Sequence, residues 1–280
     1  MTADLSRSAV LERLAAASAA QAGHENFPVA LRVLPKEPRD HLMRAYSFAR
    51  FVDDVGDEAP GEPGDRLALL DVIDADVRAL PSGTAVLPVV RALRPLVEER
   101  STPLAPFLDL IEANRIDQRV HSYPAFSDLL HYCDYSAAPV GRIVLHIAGA
   151  ATEQNILDSD AVCNALQVLE HCQDVGEDAR AGRVYIPGIE LDDALATTTG
   201  ARVRDAVATH VALARGMLQS GRPLVRRLHG WPRLAIAGFV GGGLATAVAL
   251  RRADYDVLAR TIRPSKGRTA REAARLWVGR

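Results

Sequence analysis

Apolar residues in this chain of 280 return at intervals of three and four, and no stretch alternates at two for long enough to make a strand. Between residues 38 and 58, Leu42, Tyr46, Phe48, Ala49 and Val52 keep the helical period. Proline and glycine then punctuate the chain. The opening twenty-one residues read as an amphipathic helix, and prolines 28, 35 and 38 make an entry loop into the next one. Helices are expected over about 63–80 and 85–101, parted by Pro81-Ser82-Gly83, with another ending inside 107–120. Further helices are expected over 157–180 and 200–229, with a loop at 187–199 between them. An apolar share of 48% can fill one sizeable core. The breakers fall between helices and mark no linker, so the expectation is a single all-α domain over 1–280, a helical bundle around a central cavity.

Two acidic stretches stand out against that background. In YSFARFVDDVGDE, Asp53 and Asp57 are four apart, which puts both carboxylates on one helix face with Arg50 a turn earlier. Asp174 and Asp178 repeat the spacing, again with Val-Gly between the aspartates, and Glu170 extends the ladder by one turn. Like charges at this spacing oppose each other on a bare helix, and the C-terminal end of a helix favours cations. A bound cation removes both conflicts. Oxygen-only ligands suit a hard divalent ion, and Mg²⁺ is commonly held by a few carboxylates together with substrate phosphates.

Charge and composition exclude several classes. The formal charge of −2 gives no whole-chain attraction to nucleic acid or anionic lipid. Cys133, Cys163 and Cys172 form no CxxC motif and sit in apolar helical stretches, which fits small buried side chains in a reducing cytoplasm. The N-terminus lacks the basic start and apolar run of a signal peptide. Residues 234–250 carry no charge, yet their glycines point to a buried helix rather than a membrane span. The GFVGGG string within them follows no strand and is no dinucleotide fingerprint.

The acidic stretches also carry a resemblance. Tyr46, Arg50, Asp53, Asp54 and Asp57 match the first motif of the squalene and phytoene synthase type of isoprenoid synthase; Gln167, Asp174, Asp178 and Gly182 to Pro187 match the second. Around Tyr132, Cys133, Tyr135, Pro139 and Gly141 the chain resembles the family's kinked cavity-lining helix, although its small residues serve tight packing equally well. Glu25-Asn26-Phe27-Pro28 is similar to the string found in hydroxysqualene synthases of bacterial hopanoid pathways, within a loop that closes over diphosphate. Two departures from the head-to-head condensing enzymes stand at Glu170, where Asn is common, and at Gln173, where Arg is common. Gln173 again resembles the hydroxysqualene branch.

What the resemblance implies is an isoprenoid synthase bundle using Mg²⁺, held by Asp53, Asp57, Glu170, Asp174 and Asp178, on a prenyl diphosphate. Tyr46 and Tyr135 would join the four aspartates in catalysis by steadying a carbocation or placing a water. Arg50, Asn26, Phe27, Tyr132, Gln167, Arg183, Tyr185 and Tyr255 would bind substrate; Arg183 and Tyr185 could equally just close their loop. The activity implied is conversion of presqualene diphosphate and water to hydroxysqualene and diphosphate, without NADPH. The alternatives are head-to-head condensation of two prenyl diphosphates and a non-catalytic scaffold on the same fold. An apolar substrate makes peripheral contact with the inner membrane face a reasonable expectation, and nothing in the sequence sets an oligomeric state.

Overall fold

The computed structural model describes residue 7, residues 9–15 and residues 34–279; Asn26 and Phe27 lie outside the described residues. Among the described residues the secondary structure is helical, apart from an isolated parallel bridge between Ser122 and Val184. Backbone contacts divide the chain into two compact units. One runs to Arg119 and includes Ile143–Ala150; the other comprises Val120–Arg142 and the chain from Ala151 onward.

In the first unit α1 (Lys36–Glu58) packs against α2 (Pro63–Ala79) and α5 (Ala105–Asp117). Glu62 and Asp65 form a capping box at the start of α2, which satisfies amide groups that the first turn leaves free. The core is dense. Phe48 and Phe107 meet edge to face at 5.6 Å, and Val52, Leu70, Ile73 and Ile111 are fully enclosed with them. Each such side chain contributes roughly 1.5–3 kcal/mol on burial, which fixes α1 against α5. The helix expected over 85–101 is two short ones, α3 (Pro88–Arg91) and α4 (Arg94–Glu98). Pro95 explains the split, because a proline inside a helix removes a hydrogen bond and clashes with the preceding turn.

In the second unit α8 (Glu153–Gln173) is the central element. It packs against α6 (Phe126–Ser136), α11 (Ala201–Ser220), α12 (Arg222–Arg227) and α13 (Gly230–Arg252). The Thr152 hydroxyl caps α8 by accepting the Asn155 amide. Helix α7 (Ala138–Ile147) follows α6 after a break at Ala137, so Pro139 sits in a first turn and the chain bends just before it. A side-chain carbon on Gly141 would lie 2.4 Å from Ser159 Oγ and 2.6 Å from Cys163 Sγ. Close helix approach is therefore what this glycine serves.

After α8 come two short helices, α9 (Val175–Arg180) and α10 (Leu191–Ala194), the second inside the expected loop. The helix expected over 200–229 is broken at Gly221, beside Pro223. Helix α13 is long and apolar enough to cross a membrane, but half of its apolar window is buried in the fold. It runs so close to α14 (Lys266–Val278) that a carbon on Gly241 would lie 2.6 Å from the Ala273 amide nitrogen. Between these helices Asp254 and Tyr255 both take the left-handed conformation, with φ of 52° and 53°. Arg204 holds that turn through Asp254 and Asp256, each at 3.1 Å. The three cysteines are free, and burial pushes the Cys163 thiol up to about 11.

Candidate active site

Asp53 and Asp57 occupy the last two turns of α1, both exposed, and that last turn contains no basic residue. Its carbonyl groups are met from neighbouring helices instead. Gln118, which caps the C-terminus of α5, donates to Gly56 O at 3.0 Å, and Arg66 of α2 donates to Ala59 O at 3.0 Å. The Asn114 amide donates to Asp53 Oδ1 at 3.0 Å and to Leu110 O at 3.2 Å, so one buried side chain fixes the carboxylate to α5. Gly56 makes room for it: a carbon there would lie 2.1 Å from Asn114 Oδ1. Arg50 pairs at 2.8 Å with the buried Asp54, one turn along the same helix. Tyr46 lies two turns before Asp53 and is half-buried.

The second acidic set lies where α8 ends. Asp174 leaves helical geometry with φ −105° and ψ 15°, and α9 starts at the next residue. The expected unbroken ladder of Glu170, Asp174 and Asp178 is thus interrupted at its middle rung, although Asp174 N still donates to Glu170 O and Asp178 N to Asp174 O. Asp178 accepts from His171 Nδ1 at 3.3 Å, and His171 Nε2 lies 3.2 Å from the Gln167 amide. The His171 ring stacks on Tyr185 at 3.8 Å, and Tyr132 and Tyr123 complete an aromatic cluster. Gly182, with φ 79°, ends α9 as a left-handed residue, after which the Arg183 amide donates to Asp178 O at 2.9 Å. Gln173 donates to the Ile262 carbonyl, which ties the end of α8 to the segment before α14.

One aspartate in each set is raised above the ordinary carboxylate range. The Asp53 side chain reaches solvent while protein atoms crowd the rest of its surroundings; that crowding pushes it up to about 6, with Asp57 adding and Asn114 and Arg50 opposing. Burial likewise raises Asp174 to about 6, reinforced by repulsion from Glu170, Asp178 and Glu177. Groups so raised bind protons more tightly in the folded than in the unfolded protein. Their stability contribution is therefore poorest above pH 6 and recovers as pH falls from about 6 towards 4. Carboxylate oxygens of this kind would suit Mg²⁺, whose binding would have to displace those protons. Below pH 6 the Mg²⁺ half-saturation concentration should accordingly rise by up to about tenfold per pH unit for each proton displaced, which calorimetric titration at several pH values would check.

A cavity of about 400 Å³ adjoins the second set. Leu166, Leu169, Glu170, Gln173 and Asp174 line one side, and Gly238, Phe239, Gly242 and Gly243 of α13 line another. A side-chain carbon on Gly238 would meet nothing within 4 Å, so α13 leaves this volume open by residue choice. Gly238→Leu should leave the melting temperature unchanged or higher, since helix-interior glycine costs about 1 kcal/mol relative to alanine. Turnover of a long prenyl substrate should fall by at least about tenfold; melting and steady-state rates measured side by side would check both.

Other expected site residues lie elsewhere. Tyr135 makes an edge contact with His131 at 5.2 Å, outside the Tyr132 cluster, and Tyr255 occupies the left-handed turn after α13. Glu37, His41 and Glu99 form another group with metal-ligand spacing, but Arg100 already pairs with Glu37 and both carboxylates are exposed. Sequence reasoning passed over His171 altogether and gave Asn114 and Gln118 no role. The available signal for the latter two was a pair of amide side chains four apart, hence on one face of a helix.

The squalene/phytoene synthase family profile matches residues 20–269. A hydroxysqualene synthase of Rhodopseudomonas palustris is 35% identical over 82% of this chain and 72% of its own length. One from Zymomonas mobilis is 33% identical over 91% and 88%. Among solved structures, squalene synthase HpnC from Alicyclobacillus acidocaldarius is 39% identical, with a TM-score of 0.77 over 90% of this chain and 95% of that one. A ligand-bound dehydrosqualene synthase is 19% identical with a TM-score of 0.80 over 95% and 96%, which places the fold alone. The helices, the paired acidic sets and these matches agree: this chain belongs to the squalene/phytoene synthase family and has its all-α isoprenoid synthase fold.

Proposed function

We propose that the chain is a hydroxysqualene synthase, which converts presqualene diphosphate and water to hydroxysqualene and diphosphate. The observation that carries this reading is the charge balance around Gln173. Head-to-head condensation brings two diphosphates to one site, and that load of negative charge calls for local cations. Here Gln173 is a neutral donor engaged with Ile262 O, and beside it Glu170 and Asp174 face the cavity with Arg263 as the cation lining it. Such a site suits a single diphosphate. The names of the relatives at 33–35% identity support the same choice.

Asp53 and Asp57 on α1 and Glu170, Asp174 and Asp178 around the α8–α9 break would hold Mg²⁺. When bound, it neutralises the diphosphate and stabilises charge on the departing oxygen. The chain's own residues do the rest. Asn114 and His171 steady two of the carboxylates, and the apolar wall of the cavity keeps the hydrocarbon from bulk water as the carbon–oxygen bond breaks. Tyr132, Tyr185 and His171 pack ring on ring beside Asp178 and hold that end of the site in place. Water then adds to the cation and loses a proton to solvent.

Purified protein supplied with presqualene diphosphate and Mg²⁺ should release diphosphate and form hydroxysqualene without NADPH. With farnesyl diphosphate alone it should form no C30 product. A C30 product from farnesyl diphosphate alone would replace this reading with that of a condensing synthase, and no turnover of either substrate would favour the scaffold.

A further inference from the structure

We infer that His171 is a positioning residue, whose ring holds Asp178 in the orientation that the second acidic set needs. The inference rests on the functional reading above. Residues seven apart on a straight helix are separated by about 10.5 Å along the axis, too far for these two side chains to meet. His171 Nδ1 nevertheless lies 3.3 Å from Asp178 Oδ2. The break at Asp174 brings them together, and the hydrogen bond spans that break, joining the last turn of α8 to α9.

The partners set the tautomer. Nδ1 faces a carboxylate, so it carries the proton and donates; Nε2 faces the Gln167 amide nitrogen, so it accepts. The ring thus links Gln167 of α8 to Asp178 of α9. Its orientation is fixed from the side by Tyr185, stacked at 3.8 Å with 17° between planes. Tyr185 is itself placed by the Val184 amide, which donates to His121 O at 2.7 Å, and by the Arg183 amide on Asp178 O. His171 is almost wholly buried and Asp178 about a quarter exposed: their side chains show 8% and 23% of their surfaces. The ring donor engages Oδ2 from the protein interior, which leaves Asp178 Oδ1 as the oxygen available to a cation.

His171→Phe keeps a planar ring for Tyr185 and removes both ring nitrogens. His171→Asn places an amide N–H near the position of Nδ1–H. Mn²⁺ binding in the presence of inorganic diphosphate, followed by electron paramagnetic resonance, reads the site without turnover; melting temperature reads the fold. The Phe variant should melt within about 3 °C of wild type and bind Mn²⁺ about 10–100-fold more weakly, the usual effect of losing a partner to a metal ligand. The Asn variant should recover most of that affinity. Wild-type Mn²⁺ affinity in the Phe variant would overturn the inference and leave the functional reading intact. Failure of the wild-type protein to bind Mn²⁺ would overturn both. Should the Phe variant unfold, comparison of Asn with Ala at this position decides the matter: equal losses overturn the inference, and a tighter Asn variant supports it.

Discussion

Asp174→Asn is expected to lower Mg²⁺-dependent diphosphate release by on the order of 10²–10³-fold, with little change in melting temperature or a small rise. The amide has nearly the shape of the carboxyl group but offers one weak oxygen ligand and no charge. In the metal-free protein the substitution removes repulsion, because Glu170, Asp178 and Glu177 all act to keep a proton on Asp174. Stability and activity should therefore move in opposite directions. Asp53→Asn should reduce turnover on a similar scale, since Asp53 also sits well above the usual carboxylate range. If both acidic sets act on one diphosphate, the double variant should be scarcely worse than either single one, because groups that work as a unit lose their effect together. Multiplicative losses would show that the two sets act independently. Rates of diphosphate release from presqualene diphosphate, with the four proteins at saturating Mg²⁺, make the comparison.

Gly56→Ala should be nearly as damaging to activity for an entirely different reason. The added methyl would lie 2.1 Å from Asn114 Oδ1 and 3.0 Å from its Cγ, so the Asn114 side chain must turn away. Turning it breaks the bond to Asp53 and the bond to Leu110 O. Overpacking costs about 1–3 kcal/mol, against about 1 kcal/mol gained by replacing glycine in a helix, so the net loss of stability should be about 0–2 kcal/mol. Activity should fall about 10–100-fold, because Asp53 loses the partner that orients it. Adding Asn114→Ala to Gly56→Ala should relieve the crowding and restore the melting temperature without restoring turnover. Denaturation curves and initial rates for the two single variants and the double separate packing from orientation.

Much of this architecture could be read from the residues. Helical spacing located α1, α2, α8, α11 and α13, because apolar residues recur at three and four along them. Pro95 and Gly221 split two expected helices, and both breakers were visible in the sequence. The break at Asp174 was not, since the residue itself has no breaker chemistry. Motif residues Asp53, Asp57, Asp174 and Asp178 announced themselves by spacing. Asn114 and His171 did not, because their roles depend on partners 61 and 7 residues away, and neither contact follows from helical periodicity. Arg50, expected to bind substrate, pairs in the structure with the buried Asp54.

The left-handed pair after α13 also has a kinetic consequence. Non-glycine residues in this conformation each sit about 1–2 kcal/mol above their ordinary state, and two in succession make a spring rather than a hinge. Arg204 is the catch that keeps it wound, gripping Asp254 and Asp256 from α11. High salt weakens such a partly exposed catch, so backbone hydrogen exchange at the Tyr255 turn should quicken as ionic strength rises.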